Sequence, residues 1–468
     1  MGWVVKLEEV INGKVVHRSK VATLDCPTHL HSLDDLGLRL ADAKTLLACL
    51  QTKIITRQIK HDAKHRSHCP TCGGSRRLKD YRPRKFDTLF GRIEVGVPRF
   101  DAPDCGCDGA GNHVAPSALR GRSTPEYDAI RAKLAAQLPY RAAAKLLADL
   151  LPVCGGATHT TFRNRTFSIA EQIITNTSER AAMGSHEQPA SALTVQLDHT
   201  YIRAAQGESA RHLAVLAGMI EHDEDGLKRC FASLDEQREP ATIVREQLNL
   251  SGYTPSTTLT ALTDGDEGLR NIARSASEGS IEVILDWFHL AMRLRPLEQI
   301  AQGLRTRVRS HVEAKIQIVD ALDHLHWRLW HGKFDTLAEC YEKVKVAVGA
   351  FRRYTKGWLM RKGPRDLMTG LQELRRYIKN NAGTMVNYHQ RQCAGLCVSS
   401  CGVESTVNYL INHRMNKRQQ MRWTRRGAHL LLQVRAAVLN GEFDAMVRPS
   451  SGMPEYHNDE DFSLPLAA

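Results

Sequence analysis

The sequence predicts an α/β fold whose central domain is interrupted by a long all-helical segment and preceded by a cysteine-bearing hairpin module and a three-helix module. Three observations predict it. Between 192 and 289, three apolar strand-like runs are followed by helix, strand, helix and strand patterns. The two later strand patterns, T-L-T-A-L-T-D and I-E-V-I-L-D, end abruptly in carboxylates directly before helical periodicity; strand ends of this kind are where α/β sheets place ligand and catalytic groups. From 290 to 400 the pattern is helical throughout.

A chain of 468 residues accommodates two to four domains, and its 42% hydrophobic and 25% charged content is that of an ordinary soluble protein. No apolar run approaches the ~18 residues of a membrane span. The start M-G-W-V-V-K-L-E-E lacks a signal-peptide profile, so the expectation is a cytoplasmic protein without a membrane partner. Lys and Arg outnumber Asp and Glu by 64 to 51, with a pI near 9.2, which points to a polyanionic partner. The excess is concentrated: twelve Lys/Arg against four Asp/Glu in 57–99, and seven against none in 405–441. Twelve cysteines in such a chain favour metal ligands and buried thiols over a disulfide framework.

Residues 1–56 read as a small α/β or helical start, with L-D-D-L-G-L-R-L-A-D-A-K-T-L-L-A-C-L as an amphipathic helix near its end. The segment 57–120 carries Cys69 and Cys72 in H-C-P-T-C-G-G and, after 32 intervening residues, Cys105 and Cys107 in D-C-G-C-D-G. Between the pairs, R-K-F-D-T-L-F-G-R-I-E-V-G-V-P-R-F reads as a β-hairpin turning at Gly91. Two thiolate pairs joined by a hairpin predict a four-coordinate structural Zn²⁺ site. His65, His68 or His113 can replace one ligand, and unliganded cysteines are the alternative. Three helical patterns fill 121–175, the last opening T-H-T-T-F-R-N-R. They fit a helix-turn-helix whose third helix meets a DNA major groove through Thr160, Arg163, Asn164 and Arg165. Any small three-helix packing unit shares that pattern. The polar stretch 176–191 reads as a linker.

In the domain starting at 192, S-A-L-T-V-Q-L-D-H-T-Y-I-R-A alternates through Leu193, Val195 and Leu197; H-L-A-V-L-A-G-M-I follows a turn at Gly207, and L-K-R-C-F-A-S-L is a third strand. With A-T-I-V-R-E-Q-L as a helix, the order becomes three antiparallel strands, helix, strand, helix, strand. That is the order of a ribonuclease-H-like fold, in which one acid sits on the first strand and a second just past the fourth. Asp198 and Asp264 occupy those places. Asp266 and Glu267 compete with Asp264, which is preferred because it ends the strand directly. Two adjacent carboxylates repel, and Mg²⁺ or Mn²⁺, which takes hard oxygen ligands and keeps positions for water and phosphate, relieves that repulsion. Two such ions ~4 Å apart suit in-line phosphoryl displacement. Asp286 and His289, in I-L-D-W-F-H-L, are read as a hydrogen-bonded brace between the fifth strand and its helix, in preference to a catalytic pair. Glu404, the only acid between Cys401 and Gly441, is either a third carboxylate beside a phosphate-binding surface or a solvated surface residue. Cys393, Cys397 and Cys401 recur every four residues and read as buried thiols on one helical face, in preference to a second metal site.

The runs V-Q-L-D-H-T-Y-I-R, L-T-D-G-D-E-G-L, I-L-D-W-F-H-L and G-V-E-S-T-V-N…R-M-N-K-R-Q-Q-M-R-W, with C-P-T-C-G-G and Y-R-A-A-A-K-L-L, span most of the chain. On them the chain resembles bacterial insertion-sequence transposases of the DDE type, close to the ISKra group and more distantly related to the Mutator superfamily. The resemblance implies metal-dependent DNA strand cleavage and strand transfer at a triad of Asp198, Asp264 and Glu404, with Asp286 and His289 as a C/D-x-x-H signature. It makes 192–289 and 401–450 two parts of one catalytic domain and 290–400 its all-α insertion, with a disordered tail at 451–468. It implies DNA contacts at Arg414, Lys417, Arg418 and Trp423, the last stacking on an unpaired base. Double-stranded transposon ends and target DNA become the partners, a homodimer or higher oligomer the working form, and the nucleoid the location. The pattern departs at His199, where many relatives have Gly. A nuclease without strand transfer and a catalytically idle DNA-binding regulator are the alternatives.

Overall fold

The computed structural model describes residues 1–69, 71–101, 121–153, 158–184, 189–353, 358–416 and 421–447, and for 34, 358–361, 401 and 403 the backbone alone. Cys105, Cys107, His113, Lys417, Arg418 and the expected tail lie outside the described residues. The chain divides into two compact units, Met1–Gln172 with the segment from Phe443, and Ile173–Glu442.

In the first unit, β1 (Gly2–Ile11) and β2 (Lys14–Asp25) form a hairpin around Asn12 and Gly13, both with positive φ (50° and 76°), as a tight two-residue hairpin turn requires. The helix α1 (Leu40–Arg66) follows; having neither Gly nor Pro, it runs across the 56/57 division expected from composition. The strands β3 (Leu78–Thr88) and β4 (Gly91–Phe100) form the expected hairpin, with Gly91 at φ 115°. Ile93, Val95 and Val97 alternate on its inner face and pack with Phe86 and Ile59. Then come α2 (Pro125–Gln137), α3 (Tyr140–Leu150) and α4 (His159–Met183), whose residues from Ile173 on count to the second unit. The last is 25 residues long and absorbs the first half of the expected 176–191 linker. Its segment N-T-S-E-R-A-A-M has no breaker, and the helix stops before Gly184 at φ 62°.

The second unit is built on β5 (Ala192–Arg203), β6 (His212–His222), β7 (Lys228–Ser233), β8 (Thr258–Thr263) and β9 (Ile281–Leu285), in the sheet order β7-β6-β5-β8-β9. The first three pair antiparallel, while β8 joins β5, and β9 joins β8, in parallel. This five-stranded mixed sheet is compatible with the ribonuclease-H-like arrangement. Period-two alternation splits β5 into two faces. Leu193, Val195 and Leu197 pack with α5 (Pro240–Asn249) and α6 (Glu267–Ala276) through Val244, Leu248, Leu269 and Ala273. Thr194, Gln196 and Asp198 take the opposite face by that alternation.

After β9 the chain is helical: α7 (Trp287–Gln302), α8 (Arg309–Trp330), α9 (Leu337–Arg353), α10 (Trp358–Asn381) and α11 (Tyr388–Cys393). Their apolar faces join Leu262, Ile284 and Leu285 of the sheet in one core. The chain then forms α12 (Cys401–Val407), a π-helical stretch Asn408–Asn412 running into α13 (His413–Met415), and α14 (Arg425–Leu439). Val407, Leu410, Ile411, Leu431 and Leu432 cover Leu213, Val215 and Ala217 of β6. The three cysteines expected on one helical face do not share a helix. Gly395, at φ 75°, breaks the chain between Cys393 at the end of α11 and Cys401 at the start of α12.

Candidate active site

The site grows out of one pairing. The last paired residues of the parallel β5–β8 ladder are Gln196 and Leu262. Asp198, still within β5, and Asp264, just past β8, each lie two residues further on, so the register brings them to the same level at the end of β8. Both are half-buried. Burial pushes the Asp198 carboxyl up; the His289 charge opposes this, and the Asp264 charge adds to it. Asp264 Oδ1 accepts the Asp266 amide at 2.9 Å, and its backbone carbonyl accepts the Tyr377 hydroxyl of α10 at 2.7 Å. Asp266, the nearest competitor, is occupied elsewhere. Its carboxylate caps α6 by accepting the amides of Gly268 (2.6 Å) and Leu269 (3.2 Å).

Asp286 follows β9 directly and is fully buried. A buried carboxylate needs several donors, and this one has four: the Phe288 amide (2.9 Å), which it caps, His289 Nδ1 (2.7 Å), the Ser400 amide (3.0 Å) and the Ser400 hydroxyl. The hydrogen bond expected between Asp286 and His289 is therefore present. Ser400 is the half of the brace that sequence reasoning missed, because it lies 114 residues away. The Asp286 hydrogen bond raises the His289 pKa, burial opposes it, and the charges of Asp264 and Asp198 add to it. His289 is thus an electrostatic neighbour of both acids as well as part of the brace.

Glu404 lies on the first turn of α12, which packs against β6 and the Asp198 strand, β5. Its side chain is exposed, and its own amide bonds back to the Ser400 carbonyl at 3.0 Å. Among the described residues, no three of His, Cys, Asp and Glu gather closely enough to hold a metal ion. The Asp198 and Asp264 pair nonetheless suits a hard divalent cation. Two oxygen donors share one site, and a cation there would offset the burial and the Asp264 charge that disfavour an ionised Asp198.

Two of the expected DNA contacts are core residues. Trp423 is 4% exposed; its backbone bridges to Arg203 (3.0 Å) and Ala205 (2.7 Å), and its indole N–H donates to the Met415 carbonyl at 3.4 Å. Arg414 is 1% exposed, with its guanidinium 5.2 Å over the Trp423 ring. Neither presents a surface to a base or a phosphate, because the Trp423 backbone pairs with the end of β5 and its ring packs into the core on that face of the sheet. Among the described residues of this stretch, Arg422 and Arg426 are exposed. In the first unit, Thr160, Arg163 and Asn164 are exposed on the first turns of α4, while Arg165 reaches to 3.8 Å from Asp128. At Cys69 the backbone amide donates to the Gly74 carbonyl (2.8 Å), and the carbonyl accepts from Gly73 (2.9 Å), a residue at φ 73°. Cys69 is buried and Cys72 exposed; His65 and His68 are exposed.

Fold and site together define a class: a mixed α/β protein with one carboxylate within the first strand of the sheet, a second just past the adjacent parallel strand, and an all-helical segment after the fifth strand. No protein-family model matches the chain, and no curated protein matches it. Among solved structures it is similar to the Drosophila P element transposase strand transfer complex, at 12% identity and a TM-score of 0.36, over 71% of this chain and 95% of that one.

Proposed function

We propose that the chain is a DDE-type DNA transposase of the ISKra-like kind, with Asp198, Asp264 and Glu404 as its acids. The observation that carries this reading is the parallel β5–β8 register, which brings Asp198 and Asp264 out side by side. The sequence runs around them, which resemble DDE transposases, support it further. Asp198 and Asp264 would hold Mg²⁺ or Mn²⁺ through carboxylate oxygens. Glu404 would complete the set from α12, the helix that Ser400 begins and Asp286 anchors. When bound, the ions supply activation of the attacking oxygen and stabilisation of the leaving one. His289, whose pKa Asp286 raises, interacts favourably with both acids when protonated. Exposed Arg422 and Arg426 offer phosphate contacts on the following stretch. Thr160, Arg163 and Asn164, with Cys69 and Cys72 as half of a structural Zn²⁺ site, would engage the terminal repeats, and pairing of two ends implies a dimer or higher oligomer.

The test offers purified protein a repeat-ended duplex with Mg²⁺ or Mn²⁺, beside Asp198→Ala, Asp264→Ala and Glu404→Ala. Wild type cleaves and joins, and each variant loses at least about 10³-fold. Cleavage that survives any of the three changes overturns the triad, and cleavage without joining makes the chain a nuclease.

A further inference from the structure

We propose that Tyr377 is a positioning residue for Asp264, and that with Tyr388 it makes the helical segment after β9 a two-point clamp on the strand ends that carry the site. The inference rests on the reading of Asp264 as a metal-holding acid. It starts from an imbalance. Asp264 is the first residue beyond the β8 ladder, so its backbone carbonyl has no partner within the sheet. The Tyr377 hydroxyl, 113 residues later, donates to that carbonyl at 2.7 Å. The Tyr388 hydroxyl does the same for the carbonyl of Leu285, the last residue of β9, at 2.9 Å. Two phenols from neighbouring helices thus hold the two strand ends from which Asp264 and Asp286 project.

The loop between them is held from the same side. Arg270 donates to the Gly265 carbonyl at 3.0 Å and also to Asn381 Oδ1, at the end of α10. Gly265 has φ 97°, and a Cβ there would stand 2.9 Å from that Asn381 oxygen, so the turn that aims Asp264 is shaped around α10. Tyr388 is fully buried and Tyr377 half-buried. The Arg293 guanidinium lies 4.0 Å over the Tyr377 ring. Burial pushes the Tyr377 phenol up to about 12, which keeps it a donor across the working range. A buried tyrosine seeks some acceptor in any fold. The functional content here is that both acceptors are the carbonyls at the two ends from which the site is built.

The experiment compares Tyr377→Phe with Tyr388→Phe in the full chain, because each keeps the ring and removes the hydroxyl that donates to a strand-end carbonyl. Mn²⁺ binding is followed directly by the loss of its free electron paramagnetic resonance signal, and thermal unfolding is measured beside it. Tyr377→Phe should weaken Mn²⁺ binding roughly tenfold, the scale of an outer-shell contact, while lowering the unfolding midpoint no more than Tyr388→Phe does. Unchanged Mn²⁺ affinity in Tyr377→Phe overturns the proposal. Asp264→Ala is the reference: if it leaves Mn²⁺ binding intact, the reading of Asp264 fails, and the clamp fails with it.

Discussion

Asp286 shows how one buried charge organises its surroundings. A carboxylate with no exposure must find donors, and four of them, from α7 and from Ser400, fix where the chain re-enters toward Glu404. Asp286→Asn keeps the shape but turns one acceptor into a donor aimed at other donors. The expected loss is about 3 kcal/mol of unfolding free energy, with Ser400→Ala losing about 1–2 kcal/mol, both read by urea denaturation. Asp286→Asn at wild-type stability would show that the four hydrogen bonds do not hold the element. Trp423 carries the opposite lesson. An indole at 4% exposure is core, so Trp423→Ala should cost about 3–5 kcal/mol in the same measurement. Wild-type stability combined with weakened DNA binding would return Trp423 to the base-stacking role that its sequence context suggests.

At the scale of elements, α14 is fastened to β7 and to the π-helical stretch by polar contacts that apolar periodicity does not announce. Buried Arg435 donates to the carbonyls of Tyr409 and Leu410, which the widened helix leaves open. The Leu234 amide donates to His429 Nδ1 at 3.3 Å, which requires a neutral ring accepting at that nitrogen. Burial lowers the His429 pKa; Asp235 opposes this and Arg238 adds to it. The unfolded state, titrating near about 6.5, then binds the proton more readily than the folded one. This contribution is intact above the unfolded value and is lost as pH falls from there toward the folded value. Urea unfolding of wild type should therefore weaken more between pH 7.5 and 5.5 than that of His429→Gln. Coincident pH slopes for the two proteins would remove His429 as the cause.

At the scale of the molecule, five hydrophobic clusters of described residues each lie within one unit. Those around Tyr127 and Ile93 belong to the first unit, and those around Leu290, Leu213 and Leu193 to the second. Separate cores unfold separately when little couples them. Differential scanning calorimetry should resolve two transitions, with Trp423→Ala moving only the one that belongs to the second unit. A single transition that shifts as a whole would mean the two units fold as one. Among the described residues no helix is long and apolar enough to cross a membrane.

How much of this was legible in the sequence follows from which contacts are local. Strand alternation at Leu193, Val195 and Leu197, the acids that follow β8 and β9, and the Asp286–His289 spacing are all written within a few residues. Sequence by itself therefore determined the strand and helix order of the central domain, the place of Asp198 on its first strand, and the places of Asp264 and Asp286 just past the fourth and fifth. Tertiary structure decided the rest. It buried Trp423 and Arg414 against β5 and β6, assigned Asp266 to a helix cap, and carried α4 through the expected linker. It also left Glu404 exposed on a helix already docked beside Asp198, and it brought Ser400 and Tyr377 to acids more than a hundred residues away. The physical reason is the same in each case. Periodicity records which face of an element is apolar, whereas a single polar partner at long range depends on how whole elements pack and leaves no repeating trace along the chain.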